Sequence, residues 1–206
     1  KMEEVWKAIG SSLAQTVIGN PLNEKVRMGS LAGETQRQEV REQVQKLLAS
    51  SQIVYGSLDS VEVVDADARS GAFISPVLLM NDQPHTSREP HEVEAFGPVS
   101  TIMPYRNMDD AIALSKLGKG SLVTTIVTAD HREARQYVIG AATHHGRILL
   151  LNQECAKENT GHGSPLPLLV HGGPGRAGGG EEMGGIRGVK HYLQRTALQG
   201  SPGMIT

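Results

Sequence analysis

The sequence predicts an α/β fold: an open, mainly parallel sheet built from βαβ units. Two observations carry this. Between Val99 and Leu151 strand-like and helix-like segments alternate, strand, helix, strand, helix, strand, which is the signature of parallel crossover units. Within that stretch Ser121 to Thr128 is almost continuously apolar or β-branched, as a strand buried on both faces must be.

The elements follow in order. Met2, Val5, Trp6, Ile9, Leu13 and Val17 recur at helical spacing and predict a first helix, stopped by Gly19-Asn20-Pro21. A second helix is expected over Glu34 to Ser50, with Val40, Val44, Leu47 and Leu48 on one face. Gln52 to Tyr55 reads as a short strand ended by Gly56, and Ser57 to Ser70 as a polar excursion. Ala72 to Met80 is expected as a strand, with Pro76 marking an edge or its start. The next strand runs from Val99 to Pro104. Asn107 then caps a helix through Leu117, with Met108, Ala111, Ile112 and Leu114 inward. Asp130 caps another helix, through Ala142, and Gly146 to Leu151 is the next strand.

From Asn152 to Gly185 the periodicity fails in a run rich in Gly, His and Pro, and a long loop of this kind is usually functional. Gly188 to Gln199 closes the chain as a short helix followed by a strand-like segment over 192–198, whose period-2 alternation predicts an edge strand.

Composition narrows function. Net charge is -2 and aromatic residues are 3% of the 206. A near-neutral chain with few stacking platforms is not expected to bind nucleic acid. No apolar run approaches a membrane-spanning length, so no membrane association is expected. The single cysteine, Cys155, allows no disulfide within the chain and suits a reducing, cytoplasmic setting. Lys1-Met2-Glu3-Glu4 leads directly into a helix, and the expectation is a piece excised from a longer polypeptide.

Glu94-Ala95-Phe96-Gly97-Pro98-Val99 is the motif that carries chemistry. In an extended segment Glu94 and Phe96 point to one side, and Gly97-Pro98 then turns the backbone. A carboxylate that accepts from hydroxyls beside a ring that packs on a flat face suits a polar, planar ligand. The plain alternative is a loop acid beside a core Phe.

Other features point less far. Gly173, Gly175 and Gly178 match a Gly-x-Gly-x-x-Gly pattern, but no strand leads in and no long helix follows, so a structural loop is expected. Cys155 lacks a fixed cationic neighbour that would make it reactive. The eight histidines form no metal-ligand pattern, and no metal site is expected. Asp109-Asp110 and Glu181-Glu182 read as solvated helix-end charges.

Taken in order, several motifs resemble the aldehyde dehydrogenase family. They are Gly19-Asn20-Pro21-Leu22 with Met28-Gly29, Gly71-Ala72-Phe73 with Pro76, the Glu94 to Val99 motif, Gly146-Arg147-Ile148 through Asn152, Pro165-Leu166, and Gly173-Pro174-Gly175-Arg176. Within that family Lys157 to Pro165 and the Gly172 to Glu182 run are similar to the dehydrogenase domains of bifunctional phenylacetate-degradation enzymes. Those enzymes join an oxepin-CoA hydrolase to a semialdehyde dehydrogenase. The dehydroadipyl-CoA semialdehyde dehydrogenases of benzoyl-CoA catabolism share parts of the same stretch.

The resemblance implies NAD or NADP as cofactor and an aldehyde carried on a CoA thioester as substrate. It implies a homo-oligomer and, for the bifunctional group, fusion to an enoyl-CoA hydratase-type domain. Glu94 would accept from the nicotinamide ribose and Phe96 would pack beside it, while Asn152, Pro165 and Leu166 would shape the substrate tunnel. Leu166 stands where the family has Phe. Residues 1–190 would form part of the catalytic domain, and 191–206 a terminal oligomerisation strand and tail. The family's nucleophilic Cys, general-base Glu, oxyanion Asn and nucleotide-binding domain would all lie upstream of the first helix. No catalytic residue is therefore expected here, and no turnover by this chain alone. A catalytically silent structural or assembly module is the alternative reading.

Overall fold

The computed structural model describes residues 1–155, 157, 171–177, 186–193 and 195–205. The chain divides into two compact units, residues 1–104 and 105–206.

The first unit is organised around one amphipathic helix and a three-stranded sheet. Helix α1 (Met2–Leu13) is shorter than its apolar periodicity, and beyond it Ile18 and Gly19 join isolated bridges, Ile18 with Met28 and Gly19 with Val64. Helix α2 (Glu34–Leu47) buries Val40, Val44 and Leu47, the stripe its spacing predicts. They pack with Leu58, Ile74, Val77 and Leu79 into one core. Strands β1 (Gln52–Tyr55), β2 (Val77–Met80) and β3 (Val99–Ile102) follow, with the short helix α3 (Glu89–Glu92) between the last two. β2 is central, antiparallel to β1 and parallel to β3.

The strand expected over Ala72 to Met80 is thus only its second half. Pro76 has no N–H to give a ladder, so pairing starts at Val77. Ala72, Phe73 and Ile74 are buried all the same, and the Ala72 carbonyl accepts from the Leu31 N–H at 3.0 Å. Gly56 sits at φ +89, with its Cα against the Pro76 carbonyl. A left-handed backbone and a missing Cβ are both needed there.

The second unit follows the expected order of elements, but its first strand is not buried on both faces: Leu122 is 53% and Val127 73% exposed. Helix α4 (Met108–Lys116) starts at Asn107, whose side chain accepts from the Asp110 N–H at 3.0 Å. Strand β4 (Ser121–Val127) leads to helix α5 (His131–Ala141), which Asp130 caps by accepting from Arg132 and Glu133. A 3-10 turn, Ala142–His144, delivers the chain to β5 (His145–Leu151). Helix α6 (Ile186–His191), strand β6 (Ala197–Gln199) and helix α7 (Pro202–Ile205) complete it.

The sheet order is β4-β5-β6 and both pairings are parallel. Three of the four strand pairings among the described residues are therefore parallel, as the fold class requires. Among the described residues of the strand-like segment over 192–198 the strand begins at Ala197, and His191 before it still belongs to α6. Among the described strands β6 lies at the edge of this unit's sheet. The core gathers Ile112, Ala134, Tyr137, Ala141, Ile148, Leu150 and Met204. Among the described residues no helix is long and apolar enough to cross a membrane.

Candidate functional site

The chain leaves α3 with Val93 extended, at φ -97 and ψ 125, and bends from Phe96 to Pro98. Its side chains alternate. Val93 and Ala95 pack against the core of the first unit, while Glu94 and Phe96 are exposed. This alternation of packed and exposed positions leaves both the carboxylate and the ring open to solvent. The chain has two phenylalanines. Phe73 is 7% exposed and Phe96 is 73% exposed, so the core-Phe alternative does not describe Phe96.

The loop is held from beneath. Two tight turns bracket Gly97: its N–H donates to the Ala95 carbonyl, and the Val99 N–H donates to the Gly97 carbonyl, both at 2.8 Å. Such three-residue turns bend a chain with little material. A Cβ on Gly97 would meet Val40 Cγ2 at 2.8 Å and Cγ1 at 3.1 Å, so glycine lets this backbone rest directly on α2.

Gln36, in the first turn of α2, completes the anchorage. Its Nε2 donates to the Phe96 carbonyl at 2.8 Å, and its Oε1 accepts from the Ala32 N–H at 3.0 Å. One amide therefore ties the loop to the start of the helix. The arrangement is a relative of the capping box, in which a third-position Gln or Glu reaches back toward a backbone N–H. Sequence reasoning missed Gln36. The available signal was Gly33 followed three residues later by Gln, but its second partner lies 60 positions away.

Asn152 belongs to the second unit, immediately after β5. Its Oδ1 accepts from the N–H groups of Glu154 and Cys155 at 3.1 and 3.3 Å, and its Nδ2 donates to Ser201 Oγ at 3.2 Å. Both ends of the amide shape the turn. Pro165 and Leu166 lie outside the described residues, as do His162 and Gly178 to Glu182. Cys155 Sγ rests 3.4 Å from both the Leu150 carbonyl and Asn152 Oδ1.

Gly173 and Gly175 take positive φ, and the Arg176 N–H donates to the Lys119 carbonyl at 3.0 Å. This part of the glycine run packs on other backbone, as expected of a structural loop. Among the described residues no group of three or more His, Cys, Asp or Glu could hold a metal ion.

One histidine stands apart. His145 is buried at the start of β5, its Nδ1 lies 2.6 Å from Ser121 Oγ, and its ring stacks on Tyr137. Burial, helped by neighbouring His144, lowers its pKa from 6.5 to about 4. His145 is thus a neutral core residue.

Comparison with known proteins gives a consistent result. The model of the aldehyde dehydrogenase family matches residues 1–198. A protein of Klebsiella aerogenes described as Protein MaoC is 53% identical over 180 residues, covering 86% of this chain and 52% of that protein. A 3,4-dehydroadipyl-CoA semialdehyde dehydrogenase of Aromatoleum evansii is 38% identical over 167 residues, covering 81% of this chain and 32% of that protein. The chain thus spans about half the length of the first relative and about a third of the second.

A betaine aldehyde dehydrogenase of Staphylococcus aureus, solved with NAD+, shares the fold with a TM-score of 0.63 at 19% identity. It covers 72% of this chain and 29% of its own. An aldehyde dehydrogenase of Pseudomonas syringae, solved with NAD+ and octanal, gives 0.63 at 22% identity, covering 72% of this chain and 29% of that one. The outward pair at 94 and 96 and the parallel β4-β5-β6 sheet therefore sit within a known architecture: the chain belongs to the aldehyde dehydrogenase family.

Proposed function

We propose that this chain forms part of an enzyme that oxidises an aldehyde to the acid with NAD or NADP. The single observation that carries the role of its own residues is the alternation over 93–97. A carboxylate and a ring stand outward on a backbone pinned by Gln36 and by contact with Val40. A ribose offers two adjacent hydroxyls that a carboxylate can accept from, and a nicotinamide offers a flat face for a ring, so this pair fits the dinucleotide. The dinucleotide supplies the hydride acceptor. Glu94 and Phe96 orient it, and orientation alone can supply several kcal/mol of a barrier. Asn152, with Pro165 and Leu166, would line the aldehyde's path.

The 38% identity to a CoA-linked semialdehyde dehydrogenase favours a semialdehyde carried on a CoA thioester, drawn from aromatic catabolism such as that of phenylacetate. The place of β6 at the end of the strand order among the described residues favours a homo-oligomer built through it. With the nucleophile and nucleotide-binding domain expected upstream, the 206-residue chain alone would not turn over.

The test uses the full-length protein with NAD+ or NADP+ and a panel of free and CoA-linked aldehydes. Glu94→Gln should lower kcat/KM by about 1–3 kcal/mol, the range for a lost charge-assisted hydrogen bond. The loss should fall mainly on single-turnover hydride transfer. An unchanged hydride-transfer rate would remove Glu94 from the site.

A further inference from the structure

Away from the 93–97 loop, the first unit contains a cleft of about 250 Å³ lined by Arg37, Arg41, Arg69, Ser60, Ser75 and a single acid, Asp59, with an apolar floor. Arg37 and Arg41 stand one turn apart on the same face of α2. The three arginines are committed to different degrees. Arg37 is used up: it pairs with both Glu34 carboxylate oxygens, at 3.1 and 2.7 Å, and donates to the Gly71 carbonyl at 3.1 Å. It holds the cleft wall in place.

Arg41 donates only its Nε, to the Leu58 carbonyl at 3.0 Å. That single bond fixes the guanidinium while its two terminal nitrogens make no hydrogen bond or ion pair among the described residues. The Arg69 guanidinium likewise has no partner among them; only the Arg69 backbone N–H is engaged, by Asp67. The cleft is thus lined by two arginines with uncompensated guanidinium groups, one acid and two serines. A guanidinium anchored through Nε presents the terminal fork that matches phosphate oxygens two at a time. The volume is below the roughly 300–1,000 Å³ of whole small-molecule sites, so it suits one phosphate-bearing portion of a larger ligand.

We propose that this cleft is a phosphate site, and that its ligand is the phosphorylated nucleotide end of a coenzyme A thioester. This assignment rests on the CoA-linked semialdehyde reading above. Arg41 and Arg69 bind the phosphate, and Arg37 shapes the wall. A phosphorylated dinucleotide such as NADP+ carries the same chemistry, so the experiment separates the two sources.

Calorimetric titration of the full-length protein with coenzyme A, NADP+ and inorganic phosphate is compared for wild type, Arg69→Gln, the Arg41→Gln/Arg69→Gln double variant and Arg88→Gln. Arg88 is a surface arginine outside the cleft, paired with Glu92, and controls for net charge. The expected result is a Kd for coenzyme A raised about tenfold or more in the double variant, as loss of charge-assisted contacts predicts. Arg88→Gln should stay within about twofold, the effect of a screened surface charge. A loss confined to NADP+ also supports the phosphate site and names the dinucleotide as its ligand. Unchanged affinity in all three arms overturns the proposal.

Arg69→Gln removes no contact described in the fold, so it keeps the test readable if the double variant misfolds. In the same protein Arg69→Gln should lower kcat/KM for a CoA-linked semialdehyde and leave a CoA-free aldehyde unaffected. If no aldehyde is oxidised at all, the aldehyde reading fails while the binding arms still decide the cleft.

Discussion

Gly97→Ala tests whether the outward pair depends on a backbone seated on α2. The added Cβ would lie 2.8 Å from Val40 Cγ2 and 3.1 Å from Cγ1. Ordinary carbon contacts lie at about 3.5–4.0 Å, so one side must retreat by roughly 0.5–1 Å. Val40 is 1% exposed and belongs to the central core, so it cannot swing into solvent. Overpacking of this kind costs about 1–3 kcal/mol. In a domain of this size each kcal/mol lowers Tm by about 2–4 °C. The loop is the softer partner and should absorb most of the shift. A displacement near 1 Å can cost about a hundredfold in rate when it moves a positioning group.

The assay is a double-mutant cycle on the full-length protein with Val40→Ala, reading Tm and kcat/KM. Val40→Ala alone removes buried methyl groups and destabilises, yet it vacates the space that the new Cβ needs. The two substitutions should therefore couple by about 0.5–3 kcal/mol, each relieving the other. Strict additivity, or a Gly97→Ala protein with wild-type Tm and kcat/KM, would refute the reasoning.

Three further outcomes are expected. Gln36→Ala should raise KM for the dinucleotide while costing only about 0.5–1.5 kcal/mol of stability per lost hydrogen bond. Gln36→Glu, which keeps the acceptor for Ala32 but not the donor for Phe96, should reproduce the kinetic defect. His145, with a pKa lowered from 6.5 to about 4 in the fold, takes up its proton at higher pH when unfolded. Stability should thus be full above pH 6.5 and fall as pH drops toward about 4, because the unfolded chain binds more protons in that window. Thermal melts of His145→Gln should lose that part of the slope. Asn107→Ala should cost about 1 kcal/mol by removing the cap of α4, read as a lowered Tm with unchanged dinucleotide affinity.

The features legible in the sequence are those whose causes are local. Asn107 and Asp130 begin their helices with side chains that accept from N–H groups two or three residues on, and such caps can be read from a few letters. The apolar run Ser121 to Thr128 correctly marked a strand but not its burial: β4 lies at the edge of the described sheet with Leu122 and Val127 exposed, and the strand buried at the centre is β5. The shortening at Pro76 was half legible: the missing donor was evident, but not that Ala72 to Ile74 would be buried without a ladder. The antiparallel pairing of β1 with β2 depends on a non-local register that no short window contains. The Glu94 and Phe96 pair was visible because period-2 geometry is local. Gln36 beneath it was not, since only the fold brings α2 to that loop. The cleft at Arg41 and Arg69 is hidden for the same reason: its walls come from a helix face and a distant excursion.

The position of β6 has a consequence for the order in which the molecule is made. β5 pairs with β4 through one crossover helix, so that pair can form as soon as Leu151 is available. Its other edge must wait for Ala197 to Gln199. During synthesis, at about 5–20 residues per second, a strand containing the buried Ile148, Leu149 and Leu150 spends seconds with one edge open. That interval is when another nascent chain could pair with it. Hydrogen exchange should then find the β5–β6 amides opening at lower free energy than those between β4 and β5. Loss of residues beyond 196 would leave that edge permanently uncovered, so a chain cut there should be prone to aggregate even with the Glu94 loop and the arginine cleft intact.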